Sequence, residues 1–422
     1  MRQVSPTALN TLDEAQSATL DLPDASPRPP EPLRNAALSD LPVPAVIMRG
    51  GTSKIVVFEA KDLPADPIAR DAAILAAFGS PDPRQIDGLG GGDPLTSKVA
   101  IVGPSQRTDA DIDLVFGQVG IFAPSINFQV SCGNSAAAVA LYAVEQGLVE
   151  AQDSRTPIRI HDVNSGKLIS AEVPTRYRKP RRAWHDSADF GVQPNPSIRI
   201  SFLEPGGGVT GKLCPTGSAT NRITLQDGES FDVSVIDCGN LYAFLAARDV
   251  GLAGTETPEE LERHPELKRR IEEIRTEVCV QLLSGAGAPK TGSGISPQRL
   301  KIALIGEAQS YSTPEGGRIG QGSVDLVARI INQERVHAAY AVTGAICLAA
   351  AAHLPGSLVY RVVGERARET GLLRVGHPRG TIEVSLKVDT GDRGISIVSA
   401  DVDRTARRIM GGLVYVRAAW GA

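Results

Sequence analysis

Two short, alanine-rich helices, each announced by a tight polar turn, constrain this chain more than any other feature. From Asn134 the run Ser-Ala-Ala-Ala-Val-Ala-Leu-Tyr-Ala-Val-Glu-Gln predicts a helix over about 133–147, entered through Ser131-Cys-Gly-Asn134. A second apolar helix is expected over about 344–353, entered through Tyr340-Ala-Val-Thr-Gly344. So many alanines suit helices that pack closely. The same device presented twice points to a duplicated, two-domain architecture with a ligand cleft between the halves. Around the helices, from Val43 onward, short strands are broken by Gly and Pro, which reads as α+β with much antiparallel or mixed sheet. With 422 residues, 42% of them hydrophobic, the chain can bury two ordinary cores.

Charge and cysteine usage exclude several classes. A net charge of −4 argues against nucleic acid as an obligate partner, and the basic run Arg176-Tyr-Arg-Lys-Pro-Arg-Arg182 reads as a solvated loop. The five cysteines, Cys132, Cys214, Cys238, Cys279 and Cys347, are scattered and lack CxxC spacing, as expected of a reduced, cytoplasmic protein. No His/Cys/Asp grouping has metal-ligand spacing, so no metal site is expected. Residues 1–42, rich in Pro, Ser, Ala and Asp, read as a flexible arm that resembles neither a secretory signal nor a transit peptide. The longest apolar run, Ile346-Cys-Leu-Ala-Ala-Ala-Ala352, is too short to span a bilayer, so no membrane association is expected. Homodimerisation is compatible with the chain, though no segment specifies it.

Two residues carry candidate chemistry. Cys132 stands where the alternating stretch Ile126-Asn-Phe-Gln-Val130, expected as a strand, hands over to the first alanine-rich helix. A helix start favours negative charge, whether a bound carboxylate's or a thiolate's. The same fragment also reads as a structural cysteine buried ahead of a core helix. Lys98 ends the glycine-rich turn Gly88-Leu-Gly-Gly-Gly-Asp-Pro-Leu-Thr-Ser-Lys98 and opens the apolar strand Val99-Ala-Ile-Val102. If desolvated there, a lysine gives up its proton and becomes available as a base. The plainer reading is a lysine that reaches solvent or pairs with an anion.

Other motifs fail on inspection. Gly206-Gly-Gly-Val-Thr-Gly-Lys-Leu213 nearly spells a phosphate loop, but Leu213 stands where a magnesium-binding hydroxyl is required. Asp93 occupies the third-glycine place of a dinucleotide fingerprint, where its charge would repel pyrophosphate. In 255–283, Thr257-Pro-Glu-Glu260 predicts a capped helix start, and the Glu/Arg/Lys-rich stretch that follows reads as a peripheral, solvated helical excursion.

Taken together, Met48-Arg-Gly-Gly-Thr-Ser-Lys54, Asp87 through Lys98, Ser131-Cys-Gly-Asn-Ser135 and Tyr340-Ala-Val-Thr-Gly-Ala345 resemble the PrpF family. That family comprises 2-methylaconitate cis-trans isomerase, 4-oxalomesaconate tautomerase and 3-methylitaconate Δ-isomerase. The resemblance implies a diaminopimelate-epimerase-like fold of two pseudo-symmetric domains, each a sheet wrapped around a central helix. The expected division is a first domain over 43–195, joined by a returning C-terminal strand over 410–422, and a second over 196–409. It also implies a cofactor-independent isomerase that moves a proton within the allylic system of an unsaturated di- or tricarboxylate. Lys98 and Cys132 become the candidate catalytic pair. Thr52, Ser53, Gly133, Asn134, Ser135, Lys290, His337, Thr343 and Gly344 become candidate substrate-binding residues. Epimerases of this fold carry a second cysteine before the second central helix, whereas this chain has Ala341 there. That disfavours an epimerase or racemase, the first alternative; a tricarboxylate-binding accessory protein of a dehydratase is the second.

Overall fold

The structure, a computed structural model, describes residues 40–176, 179–180, 196–283, 295–332, 335–391 and 394–417. Of the expected arm 1–42, residues 1–39 lie outside the described residues, as do most of the basic run after Arg176 and Lys290, whereas residues 40–42 open the first strand and pair with the last.

The first half is a closed ring of strands. Asp40–Gly50 pairs antiparallel with Ser53–Glu59, which runs parallel to Lys98–Pro104. The ring continues antiparallel to Ile112–Val119, parallel to Ser154–Asp162, and antiparallel to Lys167–Arg176 and then Ser197–Leu203. The long final strand Gly394–Arg417 closes it, pairing with Ser197–Leu203 through Ser399–Thr405 and with Asp40–Gly50 through Ala406–Arg417. Inside lies the helix Gly133–Glu145, buried at every position from Gly133 to Val144. Five alanines along it let strands approach closely, and no position from Gly133 to Val144 faces solvent.

The second half repeats the pattern. Ser230–Cys238 pairs antiparallel with Asn240–Ala246, which runs parallel to Lys301–Glu307, then antiparallel to Leu326–Ile331. A parallel step to Leu372–His377 and an antiparallel one to Gly380–Gly391 follow, and the early part of the final strand pairs with the latter. Its central helix, Val342–Ala352, is buried throughout. The same alternation of parallel and antiparallel steps in both halves is the signature of an α+β fold built from two pseudo-symmetric sheets, each wrapped around a helix.

Two expectations need correction. Only Ile126–Asn127 of the stretch 126–130 pairs as a strand. Asn127 Oδ1 instead accepts the Gln129 N–H at 2.8 Å, and Asn164 donates to the Phe128 carbonyl at 2.6 Å, so side chains take the backbone groups a ladder would use. The excursion 255–283 forms the helices Pro258–Glu262 and Pro265–Glu277 with the anticipated capping box, but it is not merely solvated. Leu261, Ile271, Ile274 and Val278 are fully buried against the second half's outer core.

Candidate active site

The two central helices begin at the same place. Gly133 touches the first residue of the other helix so closely that a Cβ there would lie 2.5 Å from Val342 Cγ1. Cys132 is the N-cap of the first helix and Ala341 the N-cap of the second, both extended in backbone. A cavity of about 230 Å³ opens where they meet, lined by residues of both helix starts. Lys98, Lys301 and Arg275 also line it, and none of its described lining residues is an Asp or Glu. Two helix N-termini, two lysines and a lining without a described Asp or Glu suit this cavity to anions, while Arg275 is ion-paired with Glu272 at 3.0 Å.

Lys98 is 7% exposed and opens its strand directly opposite Gln118. Its Nζ donates to Gln118 Oε1 at 2.7 Å and lies 5.3 Å above the Phe116 ring. Gln118 is itself held by donating Nε2 to the carbonyls of Ser97 at 2.9 Å and Pro94 at 3.2 Å. Burial lowers the Lys98 pKa from the usual lysine range, opposed by negative charge at Cys132 and Asp93. Burial works because a low-dielectric site penalises the ammonium more than the amine.

The glycine-rich turn before Lys98 packs on itself instead of cradling a ligand. Buried Gln85 accepts from Gly92 N–H at 2.9 Å and from Ser97 Oγ at 2.6 Å, and a Cβ on Gly90 would lie 2.0 Å from Gln85 Oε1. Lys54 clamps the same turn by donating to the Leu89 carbonyl at 3.0 Å. The turn's function is therefore to fix where Lys98 starts.

Around Cys132 a network ties the halves together. Asn240, from the second half, exchanges hydrogen bonds with the Ser131 backbone at 3.1 and 3.0 Å and donates to Thr343 Oγ1 at 2.8 Å. Ser131 Oγ donates to Asp162 at 2.5 Å. Burial raises the Asp162 pKa, against the lowering effect of hydrogen bonds from Ser131 and Ser165. Asn134 donates to Thr52 Oγ1 at 3.1 Å and Ser53 Oγ at 3.0 Å. The Gly50-Gly51 turn exists to admit it: a Cβ at Gly50 would lie 2.0 Å from the Asn134 carbonyl oxygen.

Of the residues singled out in the sequence, Lys98, Cys132, Ser53, Gly133, Asn134, His337 and Thr343 border the cavity. Thr52 reaches it only through Asn134, and Ser135 is buried in the helix with its Oγ unpartnered within the protein. Gly344 faces Tyr242 and Tyr340, whose rings leave no room for a Cβ. His337 is held neutral, its pKa pushed down to about 3 by burial and then by Lys98. Its Nδ1 accepts from the Ala339 N–H at 3.2 Å, leaving Nε2–H as a donor. The near-phosphate loop spends its amides internally, since Val209 and Thr210 N–H groups bind the Asp237 carboxylate at 2.9 and 2.6 Å.

Sequence reading missed Gln118, Arg275 and Lys301. Arg275 comes from the charged helical excursion and is anchored by its ion pair with Glu272 at 3.0 Å and by donating to the Ile331 carbonyl at 3.0 Å and to Leu300. Lys301 did leave a signal: Lys301-Ile-Ala-Leu-Ile-Gly306 repeats the character of Lys98-Val-Ala-Ile-Val-Gly103. Among the described residues no cluster of three or more metal-ligating side chains exists, and no helix is long and apolar enough to cross a membrane.

Comparison with known proteins agrees with this fold. The family described as PrpF protein matches residues 41–417. The chain is 39% identical to 3-methylitaconate isomerase of Eubacterium barkeri over 89% of its own length and 98% of the relative's. It is 36% identical to 4-oxalomesaconate tautomerase of Pseudomonas putida, over 90% and 98% of the two chains. The crystal structure of a methylitaconate-delta-isomerase superposes with a TM-score of 0.71 at 38% identity, covering 91% of this chain and 99% of that one. A hydroxyproline epimerase from Agrobacterium vitis, at 16% identity and a TM-score of 0.53 over 90% and 94% of the chains, shares the fold.

Proposed function

The chain belongs to the PrpF family, and from that premise we propose that it is a cofactor-independent isomerase of an unsaturated di- or tricarboxylate of the aconitate, 2-methylaconitate or 4-oxalomesaconate type. One observation carries the reading: a buried lysine with a lowered pKa faces a carboxylate-free cavity onto which two helix starts and further cations converge. Lys98, as the neutral amine, removes a proton from the allylic carbon and becomes an ammonium. The electron pair left behind spreads through the double bond toward a carboxylate, where the helix starts and cations stabilise it. Cys132 delivers a proton to the far carbon, which moves the double bond, or the delocalised anion rotates and regains a proton at its original carbon, which resets the geometry; the Lys98 ammonium and Cys132 thiolate then exchange protons with solvent, so none is consumed. Five scattered cysteines without CxxC spacing fit a reducing, cytoplasmic setting.

Purified protein should change the ultraviolet absorbance of at least one acid in a panel of 3-methylitaconate, trans-aconitate and 4-oxalomesaconate. In D₂O the product should carry deuterium at the allylic position. Lys98→Met should lower kcat by about 10²- to 10⁴-fold, the usual worth of a positioned acid or base, and Cys132→Ser by at least ~10-fold. Wild-type turnover by Lys98→Met would end the base assignment. Isomerisation without exchange would end the proton-transfer mechanism.

A further inference from the structure

Lys301 occupies in the second half the position that Lys98 holds in the first. Each is the first residue of a strand that runs parallel to its predecessor, Ile55 standing beside Lys98 and Tyr242 beside Lys301. Each then faces an amide across an antiparallel neighbour: Gln118 lies opposite Lys98, and the register that sets Ile302 against Ile331 brings Asn332 opposite Lys301. Both lysines and both amides line the cavity.

The two differ in how they are satisfied. Lys98 has its acceptor in Gln118. Asn332 has a side chain one methylene shorter, and among the described residues Lys301 Nζ has no hydrogen-bond acceptor and no ion-pair partner; its contact is the face of the Tyr242 ring at 5.9 Å. An ammonium deep in a protein is costly unless an anion meets it. Lys301 lines the cavity, none of whose described lining residues is an Asp or Glu, and the neighbouring Arg275 already has its carboxylate in Glu272 at 3.0 Å.

We infer that Lys301 is the anchor for a second substrate carboxylate, held from the half opposite Lys98 and Cys132. This rests on the polycarboxylate reading above and sharpens it. One carboxylate takes the charge developing in the reaction, while another, remote from the migrating proton, is read by Lys301. A substrate with a single carboxylate would leave this half-buried ammonium unmet, so the site selects against it.

Binding of propane-1,2,3-tricarboxylate, which has no double bond and cannot turn over, separates the roles when followed by isothermal titration calorimetry. Wild type should bind it, whereas Lys301→Met and Lys301→Gln should bind at least ~10-fold more weakly, as the loss of a charge-assisted hydrogen bond requires. With a turned-over substrate, both Lys301 variants should raise KM by at least ~10-fold and change kcat by less than ~3-fold. Far-ultraviolet circular dichroism on both confirms which is folded. Unchanged affinity in a folded Lys301 variant, with wild type binding normally, would overturn the anchor and leave the isomerase reading intact. A collapse of kcat at unchanged KM would overturn it too, making Lys301 a proton-transfer group. Failure of the wild type itself to bind the tricarboxylate would overturn both readings.

Discussion

Gln118 decides how much of the Lys98 amine is free, because it is the acceptor at 2.7 Å and carries no charge. Gln118→Glu would set a carboxylate at that distance and favour the ammonium, opposing the burial that lowers the Lys98 pKa. The acidic limb of the kcat/KM profile should then move to higher pH, with the rate near neutrality falling. A profile superimposable on wild type would show that Lys98 is not the group titrating in that limb. A sequence shows Lys98 at the mouth of a strand and Cys132 at a helix start, because both positions are set by neighbours along the chain. It does not show Gln118, whose relation to Lys98 is a cross-strand register. Arg275 was hidden for another reason: in a run of Glu and Arg, nothing local separates the one arginine that folds inward.

The contact between the two central helices can be tested at Gly133. Gly133→Ala would place a Cβ 2.5 Å from Val342 Cγ1 and 3.0 Å from Phe202 Cζ, so one helix start must shift. Overpacking of this kind costs about 1–3 kcal/mol, and we expect a lower Tm with activity falling further than stability, since Cys132 is the adjoining residue. Val342→Ala in the same chain should restore part of both, measured by thermal denaturation and turnover in a double-mutant cycle. Both helices were readable from composition, observed at Gly133–Glu145 and Val342–Ala352 against expected spans of about 133–147 and 344–353. The stretch 126–130 misled because alternation describes side-chain faces, whereas Asn127 and Asn164 decide the backbone hydrogen bonding. In 255–283 the charged majority masked the buried line of Leu261, Ile271, Ile274 and Val278.

For the molecule as a whole, acid is the informative perturbation. His337 and His377 are both buried, which pushes each pKa down to about 3. In the unfolded chain they titrate near about 6.5, so between these values the unfolded state binds more protons. Their contribution is complete above about pH 6.5 and is lost as pH falls toward 3. Asp162 and Asp237, raised by burial, act in the opposite direction. The histidine share is therefore read as a difference: His377→Asn should show a shallower fall of Tm from pH 7 to 5 than wild type, and an equal slope would refute it. The duplicated architecture was legible because two helix starts recur; the closure of the first ring was not a local signal. It depends on Gly394–Arg417, 24 residues long, which lies beside Gly380–Gly391, then Ser197–Leu203, then Asp40–Gly50. This sets an order of birth. A ribosome adding about 5–20 residues per second releases Lys98 and Cys132 roughly 15–60 s before the strand that completes their enclosure. Through that interval an apolar helix start waits without its wall, and nascent first halves are the species most in need of chaperone shelter.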